Sequence, residues 1–390
     1  MRVGVAILGA AALASACSPA PSPGTSPTSA ADAGDFPNPP PAAPAAWTTL
    51  DQRQRLVGGV FGGDGSQFLT GAVAWRDGFV VIGYTFKSDQ DVTARIWASP
   101  NGVDWSAVDD PGARFDDAEL SWIASDGRTL MAIGGARPGG GALGPPPIVW
   151  TSTDGTNWRR VADSPQPLLE VGVGGLAGGS GGFVVNGRSQ DGVTRLLRTA
   201  DGAEWQAVDA AAFAGGSVNS VVPYRGGWLA VGAVAPTAMP APGAKPQPAR
   251  AWWSIDGLRW APAQVAAGPA LSNAYPGSSA VLGQGSSDCG GCVANANLWQ
   301  ADGRTWRLLG PDRLLWPAYA SDGSRIVAWD NQGTGAFAWS ADGITWNPFG
   351  EAARDEGAFG PLIVGRNGLL ILLATNTEPT DGGIVYLEAG

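Results

Sequence analysis

One phrase governs this chain. Ser340-Ala341-Asp342-Gly343-Ile344-Thr345-Trp346 has five earlier counterparts: Ser99 to Trp105, Ser152 to Trp158, Thr199 to Trp205, Ser254 to Trp260 and Gln300 to Trp306. In each copy a Gly follows the acidic or amide residue, and that residue (Asn101, Asp154, Asp201, Asp256, Asp302, Asp342) stands four positions before the Trp. Successive tryptophans lie 53, 47, 55, 46 and 40 residues apart. A fixed phrase with variable spacers is the mark of a repeat architecture, and it constrains the fold more than any local propensity.

The rest of the unit is β-rich. Ala72 to Gly83, Ile123 to Gly134 and Val221 to Gly232 are each two short apolar runs about a glycine turn, which reads as a hairpin. A third strand leads into the phrase, as in Ile96-Trp97 or Val149-Trp150, and a fourth follows the Trp, as in Trp158 to Val161 or Trp205 to Val208. Asp-Gly suits the turn between them, because Asp can accept from nearby backbone N–H groups and Gly tolerates positive φ. Four strands per 40–55 residues is the content of one propeller blade. The last unit, Leu362 to Tyr386, has only three strands, and Trp47-Thr48-Thr49-Leu50-Asp51 has the pattern of Trp105 to Asp109. The expectation is an all-β propeller of seven four-stranded blades, the last closed by the N-terminal strand Trp47–Leu50.

The phrase resembles the Asp-box, or bacterial neuraminidase repeat, of sialidase-like propellers, and the resemblance covers residues 46–390. It departs from that family's Ser-x-Asp-x-Gly-x-Thr-Trp form, since Gly directly follows Asp, and Asn101, Thr199 and Gln300 are further departures. The resemblance implies that the box is a structural turn on the outer rim, away from the ligand site, and carries no chemistry. It also raises sialidase activity, which in that family needs an arginine triad, a Tyr–Glu nucleophile pair, an acidic Asp and an Arg-Ile-Pro phrase. Here Arg95-Ile96-Trp97 lacks the Pro, and none of the five tyrosines sits in such a context.

The N-terminus reads as an export address. Met1-Arg2, the apolar run Val3 to Leu13 and Ala14-Ser15-Ala16 form a signal peptide over residues 1–16. Leu13 to Cys17 resembles a bacterial lipobox, which implies lipidation of Cys17; Ala14-x-Ala16 equally suits ordinary signal peptidase and a freely secreted product. Residues 17–45 then carry the Cys and a Pro/Ala/Ser-rich linker, which reads as an extended spacer. In an exported chain the remaining pair, Cys289 and Cys292 in Cys-Gly-Gly-Cys, reads as a local disulfide, with a redox-active pair as the alternative.

Composition narrows the chemistry. The chain has no His, which removes Ser-His-Asp catalysis and His-ligated metals. A net charge of −10 argues against nucleic acid. The 18 tryptophans, placed periodically, read as blade packing rather than as a carbohydrate platform. No metal site and no cofactor is expected. Propeller ligands sit over the channel on strand 2–3 loops and interblade loops. That placement nominates Arg114, Asp116 and Asp117 on one interblade loop and Arg354, Asp355 and Glu356 on another. The expected protein is a monomeric, non-catalytic binding or scaffold lipoprotein, extracytoplasmic at a bacterial cell surface. Its partner would be a protein or glycan of the envelope, and its only membrane contact the lipid anchor. The alternatives are a sialidase-like glycoside hydrolase and an assembly factor for an envelope complex.

Overall fold

Seven sheets stand in a ring, six of them each built around one sequence repeat and the seventh from the two ends of the chain. The structure is a computed structural model describing residues 35–57, 66–88, 91–108, 115, 118–136, 145–163, 165–235, 247–285, 297–311, 318–330, 334–352, 359–374 and 383–390. Blade 1 consists of Ser66–Trp75, Gly78–Ser88, Asp91–Ser99 and Ser106–Ala107, in that order from the channel outward. Blades 2, 3, 4, 5 and 6 begin with inner strands Ala118–Ser125, Gly172–Gly179, Gly216–Tyr224, Leu271–Pro276 and Ala318–Ser321. Blade 7 takes Phe359–Val364, Leu369–Ala374 and Gly383–Ala389 from the C-terminal end, and Leu50–Val57 from the N-terminal end as its outer strand. Inner strands touch in sequence around the ring, and blade 7 meets blade 1.

The closure is the expected one, with a shifted boundary. Leu50 pairs with Ala389 and Val57 with Gly383, while the N–H groups of Thr48 and Thr49 both donate to Gly390 O. Blade 5 differs from the four-stranded expectation: Gln264–Val265 adds a parallel strand outside Thr305–Pro311.

Apolar burial is organised by seams between blades. Seven clusters of buried side chains occur among the described residues, and each draws on two adjacent blades. The repeated Trp is the keystone of each seam. Trp158 of blade 2 packs with Trp75, Val80 and Ile82 of blade 1; Trp205, Trp260 and Trp306 do the same one blade further round each time. Trp105 and Trp346 sit partly buried in the seams before blades 1 and 6. Trp47 fills the seventh position, with its ring 5.6 Å from Phe349 and its carbonyl accepting from Trp339 Nε1 at 3.1 Å. A large flat apolar body suits this seam between twisted sheets, where dispersion contacts accumulate on both faces of the ring.

A second periodicity lies on the inner strands. In blades 1 to 5 the inner strand bulges at Thr70, Ser121, Gly174, Asn219 and Ser272. The residue before each bulge pairs with a glycine of the second strand: Gly83, Gly134, Gly187, Gly232 and Gly285. A bulge increases local twist, and here the preceding carbonyl leans over the second strand. A Cβ on Gly83, Gly134 or Gly232 would stand 1.8, 1.9 or 1.8 Å from that carbonyl oxygen. Two bulged residues also join blades: Thr70 Oγ1 donates to Leu120 O at 2.8 Å, and Asn219 Nδ2 to Leu271 O at 2.7 Å.

Candidate functional site at the two mouths of the channel

The ring has two unlike faces. One carries the turns between strands 1 and 2 of each blade and the repeated Ser/Asp-Gly turns between strands 3 and 4; Arg76 Nη2 of one blade donates to Thr153 O of the next across it. The other carries the strand 2–3 loops and the interblade loops.

The repeated turn is a closed hydrogen-bonded unit. In blade 2, Ser152 Oγ accepts from Gly155 N at 2.9 Å, and Asp154 Oδ1 accepts from Thr156 N and Asn157 N at 2.9 and 2.7 Å. Trp158 Nε1 returns to Gly155 O at 3.0 Å. The same bonds recur at Asp201 with Trp205 and at Asp256 with Trp260, and Asp342 repeats the carboxylate bonds. Asn101 does the work uncharged, its Oδ1 accepting from Val103 N and Asp104 N, while Trp105 Nε1 donates to Gly102 O at 2.8 Å. Thr199 Oγ1 replaces Ser by accepting from Gly202 N at 2.8 Å. Gln300 is the true departure. Its Nε2 reaches across to Asp342 O at 2.6 Å, although Asp302 still accepts from Arg304 N and Thr305 N.

Donors gathered on the carboxylates of Asp154, Asp256 and Asp342 lower their proton affinity. The Asn157 side-chain amide, aided by backbone N–H groups, holds Asp154 well below the usual carboxylate range. For Asp256 and Asp342, burial pushes upward, but the backbone N–H bonds outweigh it and both carboxyls lie low. A carboxylate whose acceptor sites are filled by its own turn is a structural group.

The sequence-nominated ligand residues Arg114, Asp116, Asp117, Arg354, Asp355 and Glu356 lie outside the described residues, as do Cys17, Cys289 and Cys292. Phe115, between the first three, is buried with its ring 5.8 Å from that of Trp150. Ile96 and Trp97, beside Arg95, are fully buried. Tyr275 is half-buried and donates to Gln284 Oε1 at 3.2 Å, and desolvation raises its phenol pKa.

On the loop face a groove of about 570 Å³ opens between blades 3 and 4. Its floor is the glycine backbone of Gly172–Gly174, bulged at Gly174, and its walls carry Asn186, Arg188, Ser189, Gln190 and Asn219. Arg188, Gln190 and Asn219 are exposed. Asn186 is buried and donates to Asn219 O. The groove offers a guanidinium, amides and open backbone: groups that hold a hydroxylated or carboxylated ligand by hydrogen bonds. Composition alone did not reveal it, because the register of two blades assembles it.

On the opposite face a channel of about 1010 Å³ is walled by the inner strands, including Val73, Ile123, Leu176, Val222 and Ile363. Residues 35–47 run across its mouth, whereas their composition up to residue 45 reads as an extended spacer. The difference has a physical cause: Phe36 supplies an apolar anchor amid the prolines. Its ring meets Tyr224 edge-on at 5.0 Å and Trp253 at 5.7 Å.

These features define a seven-bladed β-propeller with a repeated Ser/Asp-Gly turn. No family model matches the chain, and no curated protein does. Solved structures do. A GH74 xyloglucanase from Xanthomonas campestris aligns at 19% identity and a TM-score of 0.50, covering 84% of this chain and 52% of that one. The β-propeller domain of the Trilobed protease from Pyrococcus furiosus aligns at 8% identity and 0.49, covering 82% and 93%. Trypanosoma rangeli sialidase aligns at 12% and 0.44, covering 83% and 55%. The chain thus spans about half the length of the sialidase and the xyloglucanase. At these identities the likeness is one of fold.

Proposed function

We propose that this chain is an exported, lipid-anchored binding propeller of a bacterial cell surface, which holds an envelope glycan or protein on its loop face without transforming it. The observation that supports this reading is the groove between blades 3 and 4. It brings Arg188, Gln190 and Asn219 together over an open glycine backbone, a set suited to holding a polar ligand. Export and anchoring rest on the N-terminal sequence, Met1-Arg2, Val3 to Leu13 and Ala14 to Cys17.

The test is in-cell crosslinking and pull-down of the tagged chain beside the double variant Arg188→Ala/Gln190→Ala. Both side chains are exposed, so folding is unaffected. Losing one charge-assisted hydrogen bond weakens binding by about 1.5–3 kcal/mol, or at least roughly tenfold. Recovery of the partner should fall by that factor. Undiminished recovery would move the site elsewhere.

A further inference from the structure

We infer that residues 35–47 are a docked strap that fixes how the propeller sits on its tether, turning the box face toward the membrane and the loop-face groove away from it. The inference rests on the anchored reading given above.

The strap is held at both ends by groups shaped to receive it. At blades 4 and 5, Asn38 N donates to Arg225 O at 2.9 Å, and Arg225 Nε donates back to Asn38 O at 3.1 Å. Arg304 Nη2 pairs with Asp35 at 2.8 Å while its guanidinium lies 4.1 Å from the Trp253 ring centre. Three glycines make the seat. A Cβ on Gly226 would stand 2.6 Å from Asn38 Nδ2, one on Gly227 2.9 Å from the Phe36 ring, and one on Gly303 2.9 Å from it. At the other end Arg325 donates to Ala45 O at 2.9 Å and lies 4.2 Å from the Trp47 ring centre. Between the ends run Pro37, Pro39, Pro40, Pro41 and Pro44. Proline restricts the free chain, so docking orders little that is not already ordered. Beneath Asn38 and Pro41 the strap roofs a cavity of about 620 Å³ against the turns of blades 2 to 6.

The consequence is geometric. With the strap docked, the tether leaves the propeller at Asp35 on the box face, and the stretch from Cys17 reaches at most about 60 Å. Undocked, the tether would pivot from Trp47, at the rim of the same face, with a reach of about 100 Å, and the preference for that face would weaken.

An azide-bearing amino acid is placed at exposed Ile344 on the box face or exposed Val193 on the loop face and coupled to a donor fluorophore. The lipidated chain is then reconstituted in vesicles with headgroup acceptors. Strands of 8 residues set the faces roughly 25–30 Å apart, so transfer from position 344 should exceed that from 193 at least about twofold. The gap should narrow in Phe36→Ala/Arg304→Ala. Equal or reversed transfer in the parent, or a gap untouched by the double variant, would overturn the strap. Recovery of the chain free in the medium would instead overturn the anchoring. The strap then stands or falls on the same measurement with the released chain joined through its N-terminal Cys17 to thioester-bearing lipids.

Discussion

Replacing Gly83 by Ala should weaken this protein, against the ordinary rule. Gly inside a strand is less favourable than Ala by about 0.5–1 kcal/mol, because more backbone freedom is lost on folding. Gly71, across the same hairpin, obeys that rule: an added Cβ would meet Ile123 and Ile82 side chains at 3.5 Å, an ordinary contact. At Gly83 the Cβ would stand 1.8 Å from Phe68 O and 2.9 Å from Phe68 C. Both atoms are backbone in a strand whose bulge is fixed by pairing on one side and by Thr70 Oγ1 to Leu120 O on the other. Relief requires opening the bulge. Overpacking of this kind costs about 1–3 kcal/mol, and a lost buried backbone hydrogen bond adds about 1 kcal/mol. Gly83→Ala should therefore lose about 3 kcal/mol in urea unfolding followed by tryptophan fluorescence, while Gly71→Ala gains a few tenths to 1 kcal/mol. A Gly83→Ala protein as stable as the parent would refute the steric account of the repeated glycine.

Other outcomes are expected from the same structure. Trp260→Ala empties the seam between blades 3 and 4, where the side chain is 3% exposed, and should cost about 3–5 kcal/mol in thermal or urea unfolding. The carboxyls of Asp154, Asp256 and Asp342 lie below their unfolded value of about 3.9. Their contribution is fully present above that pH and is lost as pH falls through the folded values. Unfolding free energy should therefore decline in acid, and Asp154→Asn should show a smaller decline than the parent in paired measurements at pH 7 and pH 3. Arg225→Ala removes the Nε bond to Asn38 O and should thereby increase hydrogen exchange at Asn38 N, which donates to the main-chain Arg225 O, with little change in the blade strands.

The blade count and the N-terminal closure were legible because the Asp-Gly…Trp phrase samples six of the seven blades at one fixed point, and because Trp47 to Asp51, which closes the seventh, repeats the pattern of Trp105 to Asp109. The role of the repeated Trp was legible too, since the bulkiest residue returning six times at intervals of 40–55 positions needs a repeated seam to fill. The second glycine series was in view at Gly83, Gly134 and Gly232, but its meaning needs the bulge opposite, which depends on strand register. The strap was missed because residues 37–44 have the composition of a spacer; the signal was Phe36, an aromatic with no reason to sit in one. The groove was missed for another reason. Asn186, Arg188 and Asn219 belong to two repeats, and only packing of adjacent blades brings them together. The carboxylate and arginine residues nominated at 114–117 and 354–356 rest on sequence, as they fall outside the described residues.

The central claim is that the loop face, at the groove between blades 3 and 4, is where this propeller meets its partner. A photo-crosslinking amino acid at Gln190, in the groove, and one at Ile344, on the face of the repeated Asp-Gly turns, put that to a direct test in living cells. The account predicts a discrete adduct from Gln190 and none of comparable yield from Ile344. Adducts from Ile344 with Gln190 silent would contradict it.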